Sequence, residues 1–224
     1  MATTASYDAT RARVEDYFDR TATQTWERLT SDAPVSKIRQ TVRAGRDRMR
    51  ALMLSRLPED LTGVRVLDAG CGAGQMTAEL AARGADVTAV DISPALIEVA
   101  QARLPESTCG RVRFVAGDML SDLGAHDFVV AMDSLIYYSV PDIVSALDRL
   151  ASRTRGGVVF TVAPRTPFLM TFWGLGKIFP RSDRSPVMVP HAHQHLAGAV
   201  GGELAKIDRV TSGFYISECL ELRP

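Results

Sequence analysis

The stretch VRVLDAGCGAGQMTAEL, residues 64–80, runs from an apolar segment through an acid and three alternating glycines into a helical pattern. Similar valine-rich segments recur along the chain and alternate with helical patterns. The apolar segments lie at 64–68, 86–90, 112–116, 127–132 and 157–163, and the helical patterns at 75–83, 94–104 and 141–152. Strands that alternate with helices predict an α/β fold with a parallel sheet covered on both faces.

Local signals predict where two of these helices begin and end. Ser93 is expected to be the N-cap of the helix over 94–104, with Pro94 at its first position. Gly156 and Gly157 follow the helix that is expected to end near Ser152, and we interpret them as its C-terminal stop.

The glycine loop limits what kind of ligand the sheet can bind. A glycine turn between a strand and a helix brings backbone close to a ligand, because no Cβ intervenes. A phosphate loop needs Lys and then Ser or Thr after its last glycine, whereas Gly74 is followed by Gln75, which excludes that class. A dinucleotide loop has the spacing G-x-G-x-x-G, which differs from Gly70-x-Gly72-x-Gly74, and its pyrophosphate would be repelled by Asp68.

Acids stand at the ends of three successive predicted strands. Asp68 can receive a cationic amino group, Asp91 can accept both hydroxyls of an unphosphorylated ribose, and Asp118 can accept the exocyclic amine of adenine. Open sheets bind ligands at the carboxyl ends of their strands. The order amino acid, ribose and adenine, without phosphate, therefore predicts S-adenosylmethionine. The alternative is that these acids only cap helices.

The motifs VLDAGCGAG, VTAVDIS and FVAGDM resemble those of the class I S-adenosylmethionine-dependent methyltransferases, over about residues 61–224. The resemblance implies a Rossmann-like, mostly parallel seven-stranded sheet whose last strand is antiparallel. The segment VTSGFYISECLEL, residues 210–222, can supply the last strands. The residues expected to bind the cofactor are Asp68, Gly70, Cys71, Gly72, Asp91, Ile92, Asp118, Met119 and Asp133.

Three stretches outside the cofactor motifs narrow the resemblance to one family within this class. They are VEDYFDRTATQTWERL (14–29), AMDSLIYYSVPD (131–142) and FTVAPRTPFLMTFWGLGKIFPRSDRSP (160–186). Together they resemble the magnesium protoporphyrin IX methyltransferases of (bacterio)chlorophyll synthesis, over nearly the whole chain. The resemblance implies that the enzyme esterifies one propionate of Mg-protoporphyrin IX to the monomethyl ester, and it implies an interaction with magnesium chelatase.

The sequence also predicts how the chain is organised. Residues 1–60 are expected to form an N-terminal helical lid or arm, with helices at about 10–20 and 35–56. Residues 61–224 are expected to form the methyltransferase domain that the resemblance implies, with an acceptor-binding insertion at 164–195. In the second helix the positions expected to face the core are Ile38, Val42, Gly45, Met49 and Leu52, and a row of arginines at 39, 43, 46 and 50 either faces solvent or meets acidic ligand groups.

A porphyrin is a flat apolar disc with carboxylates on one edge, so its site should combine aromatic surface with a few cations. The expected acceptor contacts are Phe18, Trp26, Arg43, Tyr138, Arg165, Phe168, Phe172 and Trp173. Each of these aromatics can equally be a core residue.

A propionate is ionised at neutral pH, so methylation needs no general base, and catalysis should consist mainly of positioning. A hydroxyl donor suits the carboxylate better than a lysine, and Tyr17 is the first candidate. In the family the stretch after strand four commonly reads Leu-Ile-His-Tyr, whereas here Tyr137 occupies the histidine position. This departure favours orientation by hydroxyl groups over a histidine acid/base role, although Tyr137 can equally be a packed aromatic.

Composition excludes several classes. Lys plus Arg and Asp plus Glu both number 26, so net charge attracts no nucleic acid. The three scattered cysteines, with neither signal peptide nor spanning segment, indicate the cytoplasm. The uncharged stretch 166–176 can touch a membrane surface. His191, His193 and His195 have no acid or cysteine nearby to complete a set of metal ligands, and the only metal expected is the substrate's magnesium.

Two alternatives stay open. One is a methyltransferase for another apolar acceptor such as a quinone precursor, and the other is a non-catalytic protein that binds S-adenosylmethionine.

Overall fold

A computed structural model describes residues 2–19, 36–167, 169–171 and 186–224. The helices are α1 (Ala2–Tyr17), α2 (Lys37–Leu54), α3 (Gln75–Ala82), α4 (Pro94–Arg103), α5 (Val140–Ala151) and α6 (His193–Ala197), with a 3₁₀ turn at Glu106–Arg111. The strands are β1 (Arg65–Ala69), β2 (Asp86–Asp91), β3 (Val112–Ala116), β4 (His126–Ala131), β5 (Thr154–Val162), β6 (Glu203–Ser212) and β7 (Tyr215–Arg223). Four of the predicted acceptor residues, Trp26, Phe168, Phe172 and Trp173, lie outside the described residues.

The strands form one seven-stranded sheet in the order β3-β2-β1-β4-β5-β7-β6. The first five strands run parallel, and β7 runs antiparallel to both β5 and β6. This confirms the predicted mostly parallel sheet with an antiparallel last strand. Because the strand order reverses between β1 and β4, a crevice opens there at the carboxyl ends of the strands.

Alternate residues of each central strand enter different cores, as the two-residue period of a strand requires. In β1, Leu67 and Ala69 pack on the side that α5 covers, where Leu147 of α5 is fully buried. Val66 packs on the opposite side with Met49 of α2 and residues of α3. Helices thus cover both faces, as predicted, and the carboxyl edge of the sheet stays open for a site.

The start of α4 is as predicted, whereas the glycines after α5 have another role. Ser93 caps α4 by accepting from the Leu96 N–H, and Pro94 is its first residue. The predicted helix stop at Gly156 and Gly157 is wrong, because both glycines lie inside β5. The register between β4 and β5 shifts beside them, and a Cβ on Gly156 would lie 2.6 Å from the Phe128 ring. The glycine therefore allows the two strands to approach closely.

Helix α2 packs against β6 and β7 through part of its predicted apolar face. Gly45 and Met49 are buried, and a Cβ on Gly45 would lie 2.7 Å from the Tyr215 ring. Ile38, predicted to face the core, is 57% exposed. Gly213, in the β6–β7 turn, packs against Thr41 of the helix, and Ile38 lies one turn earlier on the exposed end of the helix. The division of the chain at residue 60 stays a prediction.

Candidate functional site

A cavity opens at the carboxyl edge of the sheet, at the reversal between β1 and β4. Every residue that the sequence predicts to bind the cofactor lines it. One face of α1 and the turn after it also line the cavity, through Tyr7, Arg11, Val14 and Phe18. Their spacing of four, three and four residues places them on the same side of a helix. The prediction anticipated Phe18 but missed the other three, although this spacing was present in the sequence.

The glycine loop after β1 turns tightly and leaves the cavity floor as bare backbone. Gly70, Gly72 and Gly74 all have positive φ, at 84°, 54° and 82°. A Cβ on Gly70 would clash with the Cβ of Ser134, so no other residue fits there without a shift of the loop. The Ser134 hydroxyl oxygen is buried and has no hydrogen-bond partner among the described residues. The glycine therefore lets the loop pack directly against Ser134, whose hydroxyl is available to bind a ligand in the cavity.

Asp91 ties the glycine loop to the end of β2. Its Oδ2 accepts from the Gly72 N–H at 2.8 Å and its Oδ1 from the Ser93 N–H at 3.0 Å. Burial raises the pKa of this carboxyl above its ordinary value. A carboxylate offers about four acceptor positions, so Asp91 keeps acceptor capacity for the hydroxyls of a ligand.

Asp68 is almost fully buried at the end of β1, where the Thr77 hydroxyl donates to it at 2.6 Å. Burial raises its pKa to about 7, and the nearby Asp91 charge acts in the same direction. A cationic group that enters the cavity would favour the ionised form. Asp68 is therefore suited to an ammonium group.

Asp118, after β3, is held by two residues of α1. The Tyr7 hydroxyl donates to Oδ1 at 2.8 Å, and Arg11 donates to Oδ2 at 3.2 Å. The Leu120 N–H also donates to Oδ1, at 2.9 Å. The sequence placed Asp118 at the site but not these partners from α1, because they are more than a hundred residues away along the chain.

Asp133, which follows β4, connects three elements at the cavity wall. It is the only described non-glycine residue with a positive φ, at 56°. Its carboxylate forms an ion pair with Arg46 of α2 and accepts from the Tyr215 hydroxyl of β7 at 3.1 Å. The Thr161 hydroxyl of β5 also donates to it, at 3.2 Å. The carboxylate thus already has protein donors from α2, β5 and β7.

The aromatic residues at the cavity form two groups. The Phe18 ring lies edge-on to the rings of Tyr17, at 5.3 Å, and Tyr137, at 6.4 Å, between centroids. Burial raises the pKa of Tyr137, and the Asp133 and Tyr17 charges add to the effect. Its hydroxyl is therefore a neutral donor. In the second group, Tyr138 stacks on Tyr7 with centroids 4.9 Å apart.

Three other predicted site residues lie elsewhere among the described residues. Tyr17, Arg43 and Arg165 do not belong to the described lining of the cavity, and Arg165 is exposed. Two arginines of the predicted row, Arg46 and Arg50, do line it. Arg46 forms an ion pair with Asp133, and Arg50 forms ion pairs with Glu79 and Asp47. Both arginines therefore have acidic partners within the protein.

The spacing of His191 and His195 would place them on one helix face, but His191 lies outside α6, which begins at His193. The Nε2 of His191 is 3.0 Å from the Tyr138 carbonyl oxygen, and that of His193 is 3.2 Å from the Leu204 carbonyl oxygen. Within the described ranges, no three His, Cys, Asp or Glu side chains are grouped so that they could hold a metal ion.

None of the described helices is long and apolar enough to cross a membrane.

Comparisons with known proteins match both halves of the chain. The family described as magnesium-protoporphyrin IX methyltransferase C-terminus matches residues 131–224, and a methyltransferase domain family matches residues 66–157. The magnesium-protoporphyrin O-methyltransferase of Rhodobacter capsulatus is 64% identical over 222 residues, which are 98% of this chain and 99% of that protein. The chloroplastic magnesium protoporphyrin IX methyltransferase of Arabidopsis thaliana is 30% identical, over 94% of this chain and 70% of that protein.

A solved structure is similar over nearly the whole chain. It is the crystal structure of magnesium protoporphyrin IX methyltransferase (ChlM) from Synechocystis PCC 6803 with bound SAH. Its TM-score is 0.79 at 28% identity, and the match covers 94% of this chain and 98% of that one. A second structure of that protein, with bound SAM, has a TM-score of 0.76 at 25% identity, over 96% of this chain and 97% of that one.

Proposed function

The chain belongs to the magnesium-protoporphyrin O-methyltransferase family, and we propose that it methylates a propionate carboxylate of Mg-protoporphyrin IX with S-adenosylmethionine. The products are the monomethyl ester and S-adenosylhomocysteine, in (bacterio)chlorophyll biosynthesis. The observation that carries this function is the 64% identity over 98% of the chain, which includes the region outside the cofactor motifs. A quinone-precursor methyltransferase or a non-catalytic binding protein explains the cofactor motifs but not that full-length identity.

The cavity residues fit S-adenosylmethionine. Gly70 packs directly against Ser134, where a Cβ would clash, and the Ser134 hydroxyl has no hydrogen-bond partner among the described residues. Asp68 would hold the ammonium group, Asp91 the ribose hydroxyls and Asp118 the adenine amine. We propose Cys71, Gly72, Ile92, Met119 and Asp133 as the remaining contacts of the cofactor, on the basis that they line the same cavity.

When bound, S-adenosylmethionine supplies a methyl group on a sulfonium, which a carboxylate oxygen can attack without any proton transfer. The chain must hold the carboxylate oxygen in line with the methyl carbon and the sulfonium sulfur, and it must exclude water from the site. A neutral hydroxyl can orient a carboxylate by a hydrogen bond without stabilising its charge as strongly as a cation does. Tyr137 stays protonated because burial raises its pKa, so its hydroxyl is suited to that task.

We propose Tyr17 and Tyr137 as the catalytic pair that orients the propionate. Support comes from their common neighbour Phe18, whose ring contacts both tyrosine rings edge-on. Tyr137 follows β4 at the carboxyl edge of the sheet, where reacting groups in open α/β sheets meet.

The porphyrin contacts stay proposals that rest on the resemblance and on residue chemistry. Phe18 and Tyr138 line the cavity and would contact the disc. Arg165 would meet the second propionate, Arg43 would meet an acidic group of the ligand, and the apolar wall would come from Trp26, Phe168, Phe172 and Trp173. The lid formed by residues 1–60 and the acceptor-binding insertion at 164–195 are also proposals that rest on the resemblance.

We further propose a cytoplasmic enzyme that contacts magnesium chelatase, the source of its substrate, and touches the membrane surface peripherally. The family resemblance supports the chelatase contact. The uncharged stretch 166–176 supports the membrane contact, because it combines aromatic and aliphatic residues over eleven positions.

Incubation with Mg-protoporphyrin IX and methyl-labelled S-adenosylmethionine tests the function. We expect label in the porphyrin monomethyl ester, and a shift of the Soret band when the porphyrin is added to the protein. Metal-free protoporphyrin and a catechol quinone precursor serve as control acceptors. Labelling of the quinone precursor without labelling of the porphyrin would contradict the proposal.

A further inference from the structure

We propose, on the basis of the function above, that α1 is the outer wall of the adenine subsite and that Tyr7 and Arg11 position Asp118 to accept the adenine amine of the cofactor. Both residues line the cavity, together with Val14 and Phe18 from the same helix side. Tyr7 and Val14 are 8% and 7% exposed, so this side of α1 is packed onto the domain. The helix is thereby part of the cofactor site.

Contacts from α1 and from the turn after it meet the acids assigned to the nucleoside. From the middle of the helix, Tyr7 and Arg11 donate to the Asp118 carboxylate, at the adenine end. After the helix, Asp19 accepts from the Ser93 hydroxyl, and the Ser93 backbone N–H donates to Asp91, at the ribose end. The helix and the turn after it therefore connect the two acids that would hold the adenine and the ribose.

The hydrogen bonds at Asp118 leave one acceptor position for the ligand. A carboxylate offers about four lone-pair positions, two on each oxygen. Tyr7 and the Leu120 N–H occupy both positions on Oδ1, and Arg11 occupies one on Oδ2. The remaining position on Oδ2 can accept the adenine amine while α1 stays in place.

The Tyr7 ring is fixed in position as a flat wall. It stacks on Tyr138, with an angle of 22° between the ring planes. Burial raises the pKa of Tyr7, so its hydroxyl remains a donor to Asp118. Ser6, one residue earlier, donates to Asp142 of α5 at 3.0 Å and anchors the start of α1. These contacts fix the Tyr7 side chain and the start of α1, so the Tyr7 hydroxyl is held where it donates to Asp118.

Calorimetric titration with S-adenosylhomocysteine tests the inference in four variants: Tyr7→Phe, Arg11→Met, Arg11→Lys and Arg13→Met. Arg13 is the matched control, because it is exposed and its side chain bonds only to its own helix in the described contacts, at Ala9 and Thr10. We expect Arg11→Met to weaken binding about tenfold and Tyr7→Phe somewhat less, as the loss of one hydrogen bond to a charged group implies. Arg13→Met should bind as the wild type does, and Arg11→Lys should recover part of the loss.

A second ligand separates a role at the adenine from a general effect on folding. The inosine analogue of S-adenosylhomocysteine lacks the amine that Asp118 would accept. The loss caused by Arg11→Met should therefore be smaller for the inosine analogue than for the adenosine compound. Amide hydrogen exchange in α1 should slow when S-adenosylhomocysteine binds to the wild type.

The outcomes distinguish this inference from the proposed function. If the wild type fails to bind S-adenosylhomocysteine, the proposed function is wrong. If the wild type binds it but Tyr7→Phe and Arg11→Met behave like Arg13→Met, only the inference about α1 is overturned. Equal losses for the adenosine and inosine ligands would also overturn it.

Discussion

Arg46 of α2 and Asp133 after β4 form an ion pair whose side chains are 13% and 8% exposed. The pair joins a helix from the first quarter of the chain to the cavity wall, at a residue whose backbone has a positive φ. Tyr215 donates to the same carboxylate from β7. The stability of the fold and the shape of the site therefore depend on the same carboxylate.

Replacing Arg46 with Met should destabilise the protein by about 3 kcal/mol or more, because it leaves the buried Asp133 charge without its cation. Urea unfolding followed by circular dichroism measures the change. Arg48→Met is the control on the same helix, because Arg48 is exposed and donates only one described bond, to the Thr211 carbonyl. Its effect should stay within about 0.5 kcal/mol. Equal effects of the two variants would contradict a special role for the pair.

Replacing Gly70 with Ala should abolish measurable binding of S-adenosylhomocysteine. The new Cβ clashes with Ser134 and the residue keeps a φ of 84°, so the loop must change its path. Gly63→Ala is the control, because Gly63 has a φ of 75° but a Cβ added to it would meet nothing within 4 Å. That variant should lose about 1–2 kcal/mol of stability from backbone strain and bind the ligand normally.

Replacing Ser134 with Ala should have opposite effects on stability and on binding. The Ser134 hydroxyl oxygen is buried without a partner in the described part of the chain, so its removal relieves an unfavourable burial. Thermal unfolding of the free protein should therefore shift upward slightly. Binding of S-adenosylhomocysteine should weaken severalfold, since a donor beside the glycine loop is lost. Unchanged affinity would show that the hydroxyl does not contact the cofactor.

The raised pKa of Asp68 predicts how the free energy of unfolding changes with pH. Burial raises its pKa from 3.8 to about 7 in the folded protein. Between these values the folded state binds more protons than the unfolded state, so the free energy of unfolding falls as pH rises from about 4 to 7. Asp68→Asn should reduce this fall without removing all of it, because the pKa of Asp91 is raised too. Urea unfolding of both proteins across this pH range measures the difference.

The exposed Asp60 is the control for that experiment, because hydrogen bonds from Thr62 lower its pKa and its contribution has the opposite sign. Asp60→Asn should leave the fall between pH 4 and 7 in place. An identical pH profile for the wild type and Asp68→Asn would contradict the burial effect.

Replacing Tyr17 or Tyr137 with Phe should lower the turnover number about tenfold, the effect of losing one hydrogen bond to a charged carboxylate. The affinity for S-adenosylhomocysteine should stay nearly unchanged, because neither hydroxyl is assigned to the cofactor. Labelled methyl transfer at saturating cofactor gives the rate, and calorimetry gives the affinity. Normal turnover together with lost cofactor binding would contradict the assigned roles.

The sequence predicted those parts of the site that depend on strand order. Asp68, Asp91 and Asp118 each lie at or just after the end of a strand, and parallel strands bring their carboxyl ends to one edge, so their proximity follows from topology. Tyr7 and Arg11 could not be placed in the same way, because their bonds to Asp118 join residues 111 and 107 positions apart. Only the helical spacing from Tyr7 to Phe18 indicated a common face.

Predictions that failed concern residues with two physical roles. Glycines such as Gly156 and Gly157 end helices, but they also let strands approach, and only the register of β4 against β5 decides between these roles. Ile38 fits the apolar face of α2, yet its exposure depends on where the helix first meets the sheet. Asp133 stays a predicted cofactor contact, but its ion pair with Arg46 could not be predicted from the sequence, because that pair depends on how α2 packs.

The position of β7 between β5 and β6 has a consequence for how the protein is made. During synthesis β6 leaves the ribosome before β7, but its only partner in the described sheet is β7. It cannot join the growing sheet by itself, so the two strands must add as a hairpin, closed at Gly213 with its φ of 59°. Until then one edge of β5 has no strand partner, so the last step of sheet formation must wait for the C-terminal residues of the chain.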